Sequence, residues 1–427
     1  MMPSRRKTVL FAWELGRGLG HLMNMHRVAR RLAPHGCRSI AIISDSSAVE
    51  RAKGLFDEAS QAPQWPLHSR AGGGSDLSSA TLNDILSGAG LADGAATERI
   101  LGGWDEIFTV RRPDLVIADF APLAALAARG RIPLVLIGNG YTLPPHDMPR
   151  FPPLHRLQPP VWSEEHTLAT VNEAARRRGL APLEWLPQIF SGDATYVQTF
   201  PLLDPYDTQR VEAPVGPMID QIPSKRSADA HRIYVYLSPG YVPFPPIFEA
   251  LKPFAQHLRL CAPRWPSSML QELSRAGAKI DPHAVPLAEI LLSSRLVVHH
   301  GGSGVAAETL IAGAPQLVLS THIEQDLNGE ALQRAGVARV VKIHEPGAKL
   351  TRDLIEEMWS DDALASRAAQ VGDWHREELL GRDALSICER KCLQLLGKDD
   401  RYFSSATNTP FHAAEGGALR NAQIREA

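Results

Sequence analysis

Twice in this chain a short apolar run ends in a glycine-rich turn that opens a helix-patterned segment. The first is TVLFAWE (Thr8 to Glu14), then LGRGLGH, then LMNMHRVARRLAPHG. In the last of these Leu22, Met25, Ala29 and Leu32 recur at helical spacing, and Pro34 to Gly36 supply the stop. The second is LVVHHGGSGVAAETLIAGAPQLVLS, where a strand pattern ends at His299-His300 and a helix pattern is closed by Gly313 and Pro315. Apolar strands joined by helices predict a parallel sheet covered on both faces, and such sheets carry their ligands where the strands end.

Further runs fit the same plan. Ser39 to Asp45, Pro113 to Phe120 and Ile132 to Gly138 read as strands of the first half, the last two flanking the helix-forming APLAALAARG. IYVYLSPG (Ile233 to Gly240), LRLCAP, RLVVHHGG and PQLVLS read as strands of the second half. A chain of 427 residues exceeds one ordinary core. The segment Ala213 to Arg232, rich in proline and charge, is the candidate linker. The expected division is therefore 1–222, 223–398 and a flexible tail over 399–427, with the last helices crossing back to the first domain. The stretch that begins MWSDDALASRAAQ and ends at CLQLLG reads as one run of helix. Residues 71–79 form a polar glycine-rich loop, and residues 143–163 hold seven prolines, too many for regular structure; both are expected at one edge of the first domain.

Composition excludes several classes. A net charge of -2 gives no bulk attraction to nucleic acid or to an acidic membrane. No apolar run approaches 18 residues, and the N-terminus has neither the pattern of a signal peptide nor that of a membrane span, so a cytoplasmic protein is expected. Cys37, Cys261, Cys388 and Cys392 are scattered, with no second pair to complete a zinc site, and read as packing residues. Leu22, Met23 and Met25 offer a candidate patch for peripheral membrane contact, with core packing as the simpler reading.

The turn after His300 is the chemically informative one. Gly301, Gly302, Ser303 and Gly304 place bare amides at a helix N-terminus, where the dipole favours an anion. Ser303 is placed to cap that helix or to bond the anion, His300 to donate to a phosphate, and Glu308 to accept from a ribose diol. Glu324 and Gln325 open the following helix pattern and are expected at the same mouth. In the first half, Gly16, Gly18 and Gly20 give GxGxG, and Asp45 sits where a ribose-binding acid could follow, which keeps a dinucleotide-binding alternative open. Against it, the third glycine is misplaced and a histidine, His21, stands at the helix start.

The segment VPLAEIL followed by VVHHGGSGVAAETLIAGAPQLVLSTHIEQDLN resembles the donor signature of GT-B glycosyltransferases of the UDP-glycosyltransferase type, over roughly residues 8–45, 113–140 and 231–340. The resemblance implies two Rossmann-like doubly wound domains facing across a cleft. It also implies a UDP- or dTDP-sugar as co-substrate, a hydroxyl acceptor the sequence leaves unnamed, no cofactor and no metal. By position, His300 and the Gly301 to Gly304 turn would hold the diphosphate, Glu308 the ribose, and Glu324 with Gln325 the donor sugar. Val285 and Leu287 would lie along the base. His21 would be the general base for the acceptor and Asp119 its orienting acid, an arrangement that would invert the anomeric centre. The sequence departs from the signature at Val305, where a hydroxyl residue is usual, at Ala284, where an aromatic is usual, and at Glu324, which replaces aspartate. A nucleotide-sugar epimerase, or a non-catalytic partner of the same fold, remains an alternative. Glu14 is a further acid without a role, His26 is expected to face solvent, and His299 to be buried in its strand.

Overall fold

The computed structural model describes residues 5–16, 18–66, 79–154, 159–237, 245–262, 265–283 and 285–397. The glycine-rich stretch 71–78, the turn at 238–240, part of the proline-rich segment (155–158), Ala284 and the tail from 399 lie outside them. The chain forms two compact units.

The first unit runs β1 (Lys7–Trp13), α1 (Leu19–Leu32), β2 (Cys37–Ile43), α2 (Ser46–Ala52), β3 (Glu58–Gln61), α3 (Leu82–Ala89), α4 (Gly94–Arg111), β4 (Leu115–Asp119), α5 (Pro122–Ala128), β5 (Leu134–Gly138), α6 (Glu164–Arg177) and β6 (Ala194–Val197). The second runs β7 (Arg232–Tyr236), α7 (Pro245–Leu251), β8 (Leu258–Cys261), α8 (Ser267–Arg275), β9 (Lys279–Ile280), α9 (Leu287–Leu291), β10 (Ser294–His299), α10 (Ser303–Ala312), β11 (Gln316–Ser320), α11 (Ile323–Arg334), β12 (Ala338–Lys342), α12 (Arg352–Ser360) and α13 (Asp362–Leu379). The last helix, α14 (Ala384–Leu395), belongs to the first unit, where it packs on α1 through Cys388 and Cys392. Residues 199–204 belong to the second unit, where Phe200 and Leu203 join a core cluster with Leu310 and Leu332.

Each unit holds a six-stranded parallel sheet, ordered β3-β2-β1-β4-β5-β6 and β12-β11-β10-β7-β8-β9. Read from β9, the second order repeats the first. In both sheets the direction of winding reverses at one point, between β1 and β4 and between β7 and β10, and such reversals open a crevice at the strand ends. The strands flanking these points are covered on both faces: residues Val9 to Trp13 are at most 1% exposed, as are Leu296 to His299.

Several expectations change. The long helical run is three helices, because Asp361 and Asp383 turn their carboxylates onto backbone N–H groups and start new ones. Leu22 and Met25 lie in the core, leaving Met23 as the exposed member of the supposed membrane patch. Among the described residues no helix is long and apolar enough to cross a membrane. All four cysteines are free and buried.

Candidate functional site

At the switch point of the first sheet, β1 delivers Trp13 beside Asp119, the last residue of β4. The chain then turns through Gly16, at φ 86°, and Gly18, at φ 95°, before α1 begins. Both angles are in the region that favours glycine. His21, in the first turn of α1, bonds Asp119 Oδ1 through Nδ1 at 2.8 Å. Asp119 is 1% exposed at its side chain and His21 15%. The imidazole lies nearly parallel to Trp13, 5.1 Å between centroids, and to Phe120, 6.3 Å. Phe120 adopts φ 45°, a strained conformation for an aromatic residue, and its carbonyl accepts from Leu15 N. That bond ties the β4 corner to the glycine loop. A Cβ on Gly16 would stand 2.6 Å from His21 Nε2, so only glycine leaves this nitrogen its place. With Nδ1–H committed to a carboxylate, Nε2 carries the lone pair.

The first-half alternatives fare as follows. A Cβ on Gly20 would meet nothing, so it is not a close-packing glycine, and Asp45 accepts from Ser47 as the cap of α2. Both observations weigh against a dinucleotide fingerprint. His26 does not face solvent; it is half-buried and packs edge-on against Phe56, drawn in by the apolar face of its helix. Glu14 points to the other face of the sheet, where Trp104 Nε1 and Leu123 N donate to its two oxygens. Burial pushes its carboxyl up to about 7 against the pull of those bonds.

At the switch point of the second sheet, β10 ends in His299, and Gly301 turns at φ 86° into α10, whose cap residue is Gly302. His299 is fully buried as expected; its Nε2 bonds Gln316 Oε1 at 2.8 Å, and its Nδ1 accepts from Gly301 N at 3.0 Å. The Gly301 amide is therefore used inside the fold, and the first-turn N–H groups of α10 are those left for an anion. His300 is half-buried with its Nε2 against Gly302, where a Cβ would stand at 2.7 Å. Burial and the charge of His322 lower its pKa to about 4, a backbone hydrogen bond with Tyr236 opposing. Ser303 does not cap α10. Its hydroxyl donates to Glu324 Oε1 at 2.9 Å and accepts from Asn328 Nδ2 at 3.1 Å, because α11 starts close enough to take it up. Gln325 is buried, and its Oε1 accepts from the amide and hydroxyl of Thr321, closing the turn before α11. Glu308 is half-buried on α10 and acts electrostatically on Tyr236. Val285 and Leu287 are partly buried and pack with Tyr236 against a cluster containing Tyr234 and Ile290. Gly304 is exposed at the helix start, and Val305 is buried.

The structure thus gathers His21 with Asp119 in one unit, and His300, the glycine turn, Ser303 and Glu324 in the other. Asn328 and Gln316, which hold the second site together, were missed by sequence reasoning. Neither carries a signal in the sequence: Asn328 is one polar residue among several at the opening of α11, and Gln316 is the first residue of β11.

Comparison with known proteins bears on the fold that carries these residues. Residues 271–380 match the model of the erythromycin biosynthesis protein CIII-like, C-terminal domain family. The PGL/p-HBAD biosynthesis rhamnosyltransferase of Mycobacterium tuberculosis is 25% identical over 63% of this chain, which spans 65% of that relative's length. NDP-glycosyltransferase YjiC of Bacillus subtilis is 22% identical over 64% of this chain and 71% of its own. Among solved structures, the calicheamicin glycosyltransferase CalG4 superposes with a TM-score of 0.66 at 18% identity, covering 92% of this chain and 99% of its own. SnogD of Streptomyces nogalater does so with a TM-score of 0.62 at 21% identity, covering 92% and 100%.

Proposed function

We propose that this chain, a GT-B protein of the macrolide- and UDP-glycosyltransferase-like type, is an inverting glycosyltransferase that moves a sugar from a nucleoside-diphosphate donor to a hydroxyl acceptor. The observation that carries the reading is the His21–Asp119 pair, with Nδ1 bound at 2.8 Å and Nε2 kept in place by a glycine. An acceptor hydroxyl gives its proton to His21 Nε2 as its oxygen attacks the anomeric carbon, and the Asp119 carboxylate steadies the resulting imidazolium. The bond from the anomeric carbon to the diphosphate breaks on the opposite face, so a single displacement inverts that centre. The first-turn amides of α10 and His300 receive the charge of the leaving diphosphate. Glu308 would accept from the ribose diol, Glu324 and Gln325 would meet the donor sugar, and Val285 and Leu287 would border the base. The relatives' names, a rhamnosyltransferase and an NDP-glycosyltransferase, support a nucleotide-sugar donor without choosing the base. The His21–Asp119 pair also favours an enzyme over a non-catalytic partner, which would have no use for an oriented base.

The test is a panel of UDP-, dTDP- and GDP-sugars followed by thermal stabilisation, repeated on His21→Ala and His300→Ala. Donor stabilisation is expected to survive His21→Ala and to be lost in His300→Ala, while turnover is lost in both. Stabilisation by NAD and by no nucleotide sugar would overturn the proposal.

A further inference from the structure

The two peptide groups on either side of the Gly301 Cα are each held by a buried side chain. The Gly301 N–H donates to His299 Nδ1 at 3.0 Å, and the Gly301 carbonyl accepts from Asn328 Nδ2 at 2.9 Å. Because His299 Nδ1 accepts, its Nε2 carries the proton and donates to Gln316 Oε1, and Gln316 Nε2 donates in turn to the Ala306 carbonyl in α10. Asn328 Nδ2 has a second proton, and this goes to Ser303 Oγ at 3.1 Å; Ser303 passes its own proton to Glu324 Oε1 at 2.9 Å. Asn328 is 3% exposed, and His299 and Gln316 are fully buried. Burying three polar side chains costs free energy unless their bonds are made, and a satisfied network of this kind fixes geometry. What it fixes is the pair of peptide planes that meet at the Gly301 Cα, and with them the turn between them. Gly301 stands at φ 86°, one residue before the cap of α10, so the direction of its carbonyl sets the direction of the amides that follow.

We propose that Asn328 is a positioning residue that couples the two halves of the donor site. One of its amide protons holds the Gly301 carbonyl and with it the anion-binding turn. The other holds Ser303, and through Ser303 the Glu324 carboxylate. The first arm concerns any diphosphate; the second concerns the sugar and rests on the donor reading above. A single side chain thus makes recognition of the sugar depend on correct seating of the diphosphate.

The arms separate experimentally. Asn328→Ala and Ser303→Ala are titrated calorimetrically with inorganic pyrophosphate, UDP and UDP-glucose, with circular dichroism and melting to check folding. Asn328→Ala is expected to lose about tenfold in pyrophosphate affinity and, where wild type prefers UDP-glucose to UDP, to lose that preference as well, each arm being one hydrogen bond to an anion-binding element. Ser303→Ala, which touches only the second arm, is expected to keep pyrophosphate affinity within about twofold and to lose the sugar preference. A folded Asn328→Ala with wild-type pyrophosphate affinity would overturn the proposal. So would a Ser303→Ala that weakens pyrophosphate as much as it weakens UDP-glucose, which decides the matter if Asn328→Ala does not fold. Wild type binding pyrophosphate but no nucleotide would sink the donor reading, and the pyrophosphate arm would still decide for or against Asn328.

Discussion

Adjacent glycines at the start of α10 predict opposite consequences for the same substitution. At Gly301 an alanine Cβ would stand 2.8 Å from Val318 Cγ1 and 3.1 Å from the Gln325 carbonyl, on a backbone at φ 86°. The left-handed conformation costs an L-residue about 1–2 kcal/mol, and overpacking a core adds about 1–3 kcal/mol. At about 2–4 °C per kcal/mol for a unit of this size, Gly301→Ala should lower Tm by roughly 10 °C. At Gly302 the backbone is φ -63°, ψ 143°, which any residue adopts. There the close neighbour is His300 Nε2 at 2.7 Å, well short of the 3.4 Å at which ordinary contact begins. The half-exposed imidazole can swing away, so the fold loses only about 1 kcal/mol for alanine at a helix cap, or roughly 3 °C. Binding suffers instead. A charge-assisted bond to a diphosphate contributes about 1.5–3 kcal/mol, so Gly302→Ala should weaken UDP by about 10- to 100-fold. Scanning calorimetry and titration calorimetry with UDP measure the two quantities on both variants. Gly302→Ala binding UDP as wild type does would refute the placement of His300 on the diphosphate. Equal melting losses in the two variants would refute the steric reasoning.

Asp119→Asn should cut turnover by about 10²–10⁴-fold while UDP affinity stays within twofold, because the amide can donate to Nδ1 and leave the proton on Nε2; a variant keeping a tenth of wild-type turnover would contradict the base assignment. The pKa of His300 is lowered to about 4, so the ring is neutral at pH 7, and a diphosphate bound beside it would raise that pKa. UDP binding should therefore take up protons between about pH 4 and 7 and tighten as pH falls. Titrations in buffers of different ionisation enthalpy measure the uptake, and its persistence in His300→Gln would rule the residue out. Glu14, raised to about 7 from 4.5, is a carboxyl whose folded pKa exceeds its unfolded one. Its contribution is thus fully present below about pH 4.5 and is lost as pH rises through 7. The indole N–H resonance of Trp104, which donates to Glu14, should titrate with a midpoint near 7; a flat resonance from pH 5 to 9 would refute the assignment.

The strands that sequence patterning reveals are the central ones. β1, β4, β7, β10 and β11 are apolar runs because both their faces are covered, and their continuous hydrophobicity is what a reader sees. The edges escape for the same reason in reverse. Glu58–Gln61 is polar and only partly buried, Lys279–Ile280 is two residues long, and Ala338–Lys342 alternates with an exposed Arg339. Without the edges the shared strand order of the two units is invisible, although it is this order that puts His21 and the Gly301 turn at equivalent switch points.

The same distinction governs the site. Glycines and histidines stand out in sequence because few structural roles need them together, and the structure explains each pairing by contact: His21 Nε2 needs a residue without Cβ at position 16, and His300 Nε2 needs one at 302. Two loops at equivalent switch points share one arrangement, in which a glycine gives up its side-chain space to a histidine nitrogen at the mouth of a sheet. What cannot be read in advance is the supporting layer. Asn328, Gln316 and the Trp13 ring are ordinary residues of helix and strand until the fold brings a carbonyl, the His299 imidazole or the His21 ring against them. Ser303 shows how this misleads. A serine after two glycines looks like a cap, yet the cap needs an acceptor one residue earlier, and the hydroxyl at 303 is taken by Glu324 and Asn328 from a helix twenty residues on. Motif residues are therefore legible by type, while their orientation depends on partners whose own identity carries no signal.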